Sequence, residues 1–332
     1  MKQLLSRRLG SFLLAASLFS LAACQQDPQS ANVPQTMRPL KASTPPANPA
    51  IAYCSSTTAI GVMDTTGANA TTLVSVTSGT LTSPSWNYSG GSIAYSDAVS
   101  NTYAIKAVDV SVNSKGAPVA SNARTIYSLA ASDSTRIQSG PAWCATSATG
   151  AIAFTRLHTD KANFGTTDLC TISQSGGTPT VLASFKKLSS TGAALGLYNS
   201  PTWSPDDSKI AVLRTDTTNH VTIMIFNAST GAAVDSIPIS GAARNLEWSR
   251  TGMNELAYSY FTGSSYVLSY VAASTGSTPT TNSVAGTFPT WSPNNSGILF
   301  LPASGADLKL VPFTTTTSSV GSAAFSYLNW KR

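Results

Sequence analysis

From residue 50 onward the chain alternates short apolar runs with clusters of Ser, Thr, Asn, Asp, Gly and Pro, which predicts strands and turns throughout. Runs such as SIAYS (Ser92–Ser96), AIAFT (Ala151–Thr155) and KIAVL (Lys209–Leu213) are continuous enough to be buried on both faces. Between runs stand turn phrases such as SPDDS (Ser204–Ser208) and SPNNS (Ser292–Ser296), whose short polar side chains bond the backbone or accept left-handed angles.

The runs repeat. Six copies of one phrase carry Trp86, Trp143, Trp203, Trp248, Trp291 and Trp330, spaced 57, 60, 45, 43 and 39 residues apart. After each turn comes a strand whose first three positions are apolar: Ile93 to Tyr95, Ile152 to Phe154, Ile210 to Val212, Leu256 to Tyr258, Ile298 to Phe300 and Ile51 to Tyr53. The fifth position varies freely, as Asp97, Arg156, Arg214, Tyr260, Pro302 and Ser55. Four antiparallel strands per unit, repeated radially, predict an all-β, six-bladed β-propeller. Stacked sandwiches also space strands regularly, but give no reason for a Trp-turn-strand phrase to return in step. Each tryptophan is expected to pack between blades with its indole N–H on a nearby carbonyl.

The last copy stops at Trp330, and a matching half lies at Ala50–Ser55 (AIAYCS). One blade is therefore expected to be closed by both ends, with Phe325–Trp330 beside Ile51–Ser55, Ala59–Asp64 and Thr71–Val76.

The phrases Pro201-Thr202-Trp203-Ser204-Pro205-Asp206-Asp207 and Pro289-Thr290-Trp291-Ser292-Pro293-Asn294-Asn295 resemble the repeat of TolB-type (WD40-like) six-bladed propellers of bacterial envelopes. Ala59–Thr72 is similar to the outer hairpin of that repeat. The resemblance covers about residues 50–332, and a short tail stands where TolB carries an α/β domain. It implies the fold. The family includes partner-binding periplasmic proteins and peptidase-linked propellers, so no one function follows.

Residues 1–23 have the form of a secretory signal: Lys2, Arg7 and Arg8, then an apolar core from Phe12 to Leu21 too short to span a bilayer. Leu21-Ala22-Ala23-Cys24 resembles a lipobox, which makes Cys24 the expected lipid-bearing residue and the membrane a partner through the anchor. Gln25 in place of Asp favours the outer membrane in a Gram-negative cell. Residues 24–49 are proline-rich with little apolar bulk, a tether that cannot bury a core. The propeller is expected over 50–332.

Charge and cysteines sharpen this only a little. Charged residues make up 10% of the chain, and its net charge of +6 includes the three cations of the signal, which is too weak and scattered for nucleic acid. Beyond Cys24 stand Cys54, Cys144 and Cys170, an odd count that leaves one thiol over; Cys144 and Cys170, in one blade, are the pair expected to bridge if any does.

Catalytic signatures are sparse. The two histidines, His158 and His220, belong to no zinc motif, and no G-x-S-x-G occurs. The peptidase branch of the family is set aside on length. Calcium is the one cofactor left open, with Asp64, Asp97 and Asp109 as the acids to hold it.

A charge cluster stands out in so neutral a chain: Arg156, His158, Asp160 and Lys161 after one strand, and Arg214, Asp216 and His220 after its counterpart in the next blade. On one rim these form either a solvated set of ion pairs or a site for an anionic ligand or acidic surface, with Arg156 and Arg214 as planar anchors. Insertions at 110–124 and 186–199 are expected to wall it. The expectation is a monomeric, lipid-anchored binding or scaffolding module for an envelope protein or cell-wall component, with no catalysis. The alternatives are a lactonase- or lyase-like channel enzyme with a divalent cation, and a structural surface lipoprotein.

Overall fold

The computed structural model describes residues 50–331 except 68, 131, 147–149, 161–164, 186–196, 217–219, 251, 304–306, 313–317 and 323–325. The expected signal, Cys24 and the tether lie outside the described residues, as do Lys161 and most of 186–199.

Antiparallel sheets arranged as a propeller account for the rest. One holds β4 (Thr80–Trp86), β5 (Ser92–Val99), β6 (Thr102–Val112) and β7 (Pro118–Leu129). The next holds β8 (Thr135–Trp143), β9 (Ala151–His158), β10 (Thr167–Ser173) and β11 (Thr180–Phe185). A third holds β12 (Leu197–Trp203), β13 (Lys209–Thr215), β14 (Val221–Asn227) and β15 (Ala233–Ile239). Then β16 (Ala243–Trp248), β17 (Glu255–Phe261), β18 (Tyr266–Ala272), β19 (Thr280–Trp291), β20 (Gly297–Pro302), β21 (Asp307–Pro312) and β22 (Ser318–Ser322) form one seven-stranded sheet. It is continuous because β19 does not break: Thr280 to Ala285 pair with β18, Gly286 to Trp291 with β20. The last sheet joins β23 (Ser326–Trp330) to β1 (Ile51–Ser56), β2 (Ala59–Met63) and β3 (Thr71–Ser75), so the two ends of the domain share one sheet as expected.

The repeat register is realised strand by strand. Each tryptophan ends an inner strand opposite the first apolar residue of the next strand: Trp86 faces Ile93, Trp143 Ile152, Trp203 Ile210, Trp248 Leu256, Trp291 Ile298 and Trp330 Ile51. The second strands are buried on both faces because neighbouring sheets pack against both, which is why they read as unbroken apolar runs. Outer strands such as β15 alternate exposed and buried positions, one face being solvated.

Side chains one residue before the tryptophans staple adjacent sheets. Trp143 N–H donates to Ser85 Oγ (2.9 Å), Trp248 N–H to Thr202 Oγ1 (3.0 Å), Trp330 N–H to Thr290 Oγ1 (3.0 Å) and Trp86 N–H to Asn329 Oδ1 (2.9 Å). Where that residue is Ala142 or Glu247, the indole itself donates to its carbonyl, from Trp203 (2.9 Å) and Trp291 (3.2 Å). The Trp248 indole reaches the Asn254 side chain, and those of Trp86, Trp143 and Trp330 are buried without a hydrogen-bond partner among the described residues, so the carbonyl expectation describes two of the six.

The turn phrase does a second job. Asp206 bonds within its own turn, to Ser204 and Ser208. Asp207, buried and in a left-handed backbone (φ 59°), crosses to the preceding sheet and accepts from Ala145 N, Thr146 N and Thr146 Oγ1. Asn295 (φ 56°) repeats this toward Arg250 N. Asp207→Ala leaves those donors unsatisfied and is expected to cost about 2–3 kcal/mol in denaturant unfolding, against less than about 1 kcal/mol for exposed Asp206→Ala. Equal losses at the two positions would show that the crossing bonds contribute nothing.

Candidate functional site

Strand direction sorts the side chains between two rims. Inner strands run toward the tryptophan turns (the turn rim), second strands run back to the far rim, and the pattern alternates outward. The ends of β9 and β13, with Arg156, His158, Arg214, Asp216 and His220, therefore lie on the far rim. The 110–124 segment does not wall them. It is the paired tip of β6 and β7 (Asp109 opposite Ser121, Val112 opposite Pro118), and β6 runs back to the turn rim.

On β9, Arg156 stands opposite Asp168 of β10. Asp168 is buried and accepts from Arg156 Nη2 (2.9 Å), His158 Nε2 (2.8 Å) and Ser184 Oγ (2.7 Å). Burial by itself raises this carboxyl, but the Ser184, Arg156 and His158 hydrogen bonds and the His158 charge outweigh it and hold it below the usual carboxylate range. His158 Nδ1 also lies 3.6 Å from Asp160, and Arg156 Nη1 reaches Tyr127 Oη at 3.5 Å. Arg156 is thus held inside the fold, against the outer strand of the preceding sheet.

Arg214 occupies the same register one seam further round. Its guanidinium lies 5.2 Å from the Phe185 ring, which packs on Tyr198, itself edge-on to Phe226. Asp216 and His220 close the β13–β14 connection, with His220 N on Asp216 Oδ1 (3.0 Å) and the imidazole three-quarters exposed. The two halves of the charge cluster serve two successive seams.

Other far-rim residues escaped the sequence reading. Arg244 stacks on Tyr266 at 3.7 Å, and Tyr266 packs on Phe261 (5.1 Å). At the channel, Phe288 and Tyr327 pair at 4.9 Å. Both have left-handed backbones (φ 56° and 53°), as do Ser83, Ser200 and Asn245 at equivalent places three residues before a tryptophan. Each sits in a β-bulge, which re-aims its side chain toward the axis. Gly140 fills the place between β4 and β12, where an added Cβ would lie 2.3 Å from Ser83 Cβ.

These residues, with Pro84, Pro141, Pro201 and Pro289 and the stapling side chains Ser85, Thr202 and Asn329, line a channel cavity of about 120 Å³. Proline suits the strand edge that faces the channel, since no ladder bond is needed there. Glu247 is the one acid in the lining. Arg250 pairs with it at 2.8 Å and bonds Trp330 O (2.8 Å) and Trp291 O (3.3 Å), so its guanidinium lies across the turn-rim ends of β16, β19 and β23.

The remaining candidates disperse. Asp64 caps its own turn through Thr66 and Asn69, Asp97 pairs with Lys106 (2.6 Å) and Asp109 with Arg124 (2.7 Å), so the three acids considered for calcium stand apart. Cys54, Cys144 and Cys170 are buried and form no disulfide among the described residues. Cys144 lies opposite Ala151 on one side of β9 and Cys170 opposite Phe154 on the other, about 14 Å apart across two strand spacings and three residues, beyond the reach of a disulfide. Burial pushes the Cys54 and Cys170 thiols up to about 12, far from nucleophilic.

No protein-family model matches the chain, and no curated protein sequence does. Among solved structures it is similar to TolB from Acinetobacter baumannii, with 16% identity over 85% of this chain and 66% of that one and a TM-score of 0.59. It thus spans just under two thirds of that TolB. A putative TolB from Agrobacterium tumefaciens (13% identity, 86% of this chain, 99% of that one, TM-score 0.51) and a chain of the nidogen/laminin complex (9%, 85%, 98%, 0.58) are also similar. At such identities the likeness is one of fold, an antiparallel β-propeller.

Proposed function

We propose that this chain is a lipid-anchored, six-bladed propeller of the cell envelope that binds a protein or cell-wall component on its far rim. The six-blade count takes β19 as serving two blades, its first half closing one and its second half opening the next. Anchoring rests on the lipobox-like Leu21–Cys24, and reach on the tether behind it.

One observation carries the binding surface: the far rim holds two arginine–aromatic pairs, Arg214 on Phe185 across the seam between two sheets and Arg244 on Tyr266 within the next sheet. Arginine and aromatic side chains, pre-ordered by stacking, are the usual anchors of protein interfaces because little freedom is lost on binding. The side chains of the turn rim, by contrast, hold the blades to one another. The likeness to TolB supports an envelope propeller and a binding role rather than catalysis.

Photo-crosslinking residues placed at Arg214, Arg244 or Tyr266 should capture a defined envelope component in cells, while Val119 and Val234 near the turn rim should capture none. Capture from both sets alike would remove the far rim from this role.

A further inference from the structure

We infer that the channel is a binding site for a small organic acid, held through its carboxylate. The first warrant is hydrogen-bond polarity. Ser85 Oγ, Thr202 Oγ1 and Asn329 Oδ1 each accept a tryptophan backbone N–H. Deeper in the same wall, Ser139 Oγ accepts Ser200 N–H (3.0 Å) and Ser200 Oγ accepts Asn245 N–H (3.2 Å). A hydroxyl whose oxygen is occupied this way still has its single O–H to donate, and an amide whose oxygen is occupied still has two N–H groups. Asn329 is fixed in that orientation by the Trp86 N–H, and Asn245 Oδ1 takes Ser259 Oγ at 3.5 Å. Each of these groups accepts from the scaffold and, among the described residues, none donates to it, so every donor of the set is left for the cavity while part of its acceptor capacity is taken, and a ligand rich in acceptors complements it.

Charge and shape narrow the class. Glu247, the one carboxylate in the lining, is neutralised by Arg250, which is only 5% exposed and whose Nε and Nη1 have no partner among the described residues. The lining is therefore balanced in charge, and an anion entering it meets no uncompensated carboxylate. Small residues, Ser83, Gly140 and Ser200, form one flank, and the Phe288–Tyr327 pair forms the other. A cavity of about 120 Å³ exceeds by far the ~10–15 Å³ that one water needs. A planar, ring-bearing acid fits: its ring against the aromatic flank, its two oxygens toward the hydroxyl and amide donors. Two acceptor oxygens on one group match this wall better than a neutral amide, whose own N–H groups would meet donors.

The site is independent of the far-rim reading, since a chain that crosslinks nothing on the rim can still bind an acid in the channel. Benzoate and benzamide are the probes, titrated into the intact chain by calorimetry and ligand-observed NMR. Benzoate should bind and benzamide should bind at least about tenfold more weakly, the worth of one charge-assisted hydrogen bond. Asn245→Asp keeps the left-handed backbone and the Oδ1 acceptor but turns a donor into a second carboxylate, and should weaken benzoate by more than about tenfold. Asn245→Gly, equally compatible with φ 58°, should weaken it by about tenfold with the melting temperature little changed. Equal binding of the two probes, benzoate affinity unmoved by both variants, or no benzoate binding at tens of millimolar would overturn the assignment.

Discussion

Deletion from Ser326 onward is expected to abolish cooperative folding of the domain. The segment is short, but it is the inner strand of the sheet that β1 to β3 complete, pairing Trp330 with Ile51 and Asn329 with Ala52. It also carries three bonds to its neighbours: Asn329 Oδ1 takes Trp86 N–H, Trp330 N–H reaches Thr290, and Trp330 O accepts the buried Arg250. Loss of a buried tryptophan costs about 3–5 kcal/mol, and a buried cation stripped of acceptors costs a similar amount. Together these approach the whole stability of a typical domain, about 5–15 kcal/mol. Circular dichroism and tryptophan fluorescence should show no shared melting transition in the truncated chain. A truncated chain that melts cooperatively at the full-length temperature would mean that the ring does not depend on this closure. Trp330→Ala alone should remove about 3–5 kcal/mol and leave a folded, weakened ring.

The second large effect is expected at Asp168. Three donors converge on this carboxylate, and its side chain is 5% exposed against 19% for Arg156 and 19% for His158. Asp168→Asn removes the charge and should destabilise the fold by about 3–5 kcal/mol at neutral pH, because it strands the guanidinium rather than because the ion pair is itself a large gain. The pH dependence separates the two accounts. The folded carboxyl titrates below its ordinary value, so its stabilising contribution is fully present above the unfolded value of about 3.9 and is lost as pH falls through the lowered folded value. The gap between wild type and variant, measured by denaturant midpoints, should therefore be wide at pH 6 and close below pH 4. A gap independent of pH would mean that packing, not ionisation, sets the effect.

Much of the architecture was legible because strand-length apolar runs recur in step with a tryptophan. The turn phrase and the apolar run after each recurring tryptophan fix which residue of the second strand faces Trp86 or Trp203, and the structure pairs them so. The split repeat located the sheet shared by β23 and β1. What escaped depends on distances that no local pattern encodes. Asp168 faces Arg156 only because the β9–β10 connection has a particular length. Arg250 looks like a solvated turn residue in sequence, yet it lies across the ends of three inner strands and is 5% exposed. The second acid of SPDDS serves the neighbouring sheet, not its own turn. The wall expected from 110–124 failed for a directional reason: one more reversal of the chain carries that hairpin to the opposite rim.

Continuity in β19 has a practical side. Short connections such as residues 76–79 and 240–242 separate one sheet from the next, and a cut or a graft there interrupts no ladder. Within β19 the chain runs on without a connecting loop through Gly286, whose missing Cβ makes room for the Phe300 ring, and, past the bulge at Phe288, through Pro289, which faces the channel edge. New termini or an inserted tag between Ala285 and Gly286 would fall where the pairing passes from β18 to β20, with no connecting loop to absorb it. Anyone rewiring this scaffold, by circular permutation or by swapping modules between relatives, should place the junctions in the short connections and carry residues 280–291 as a single indivisible cassette.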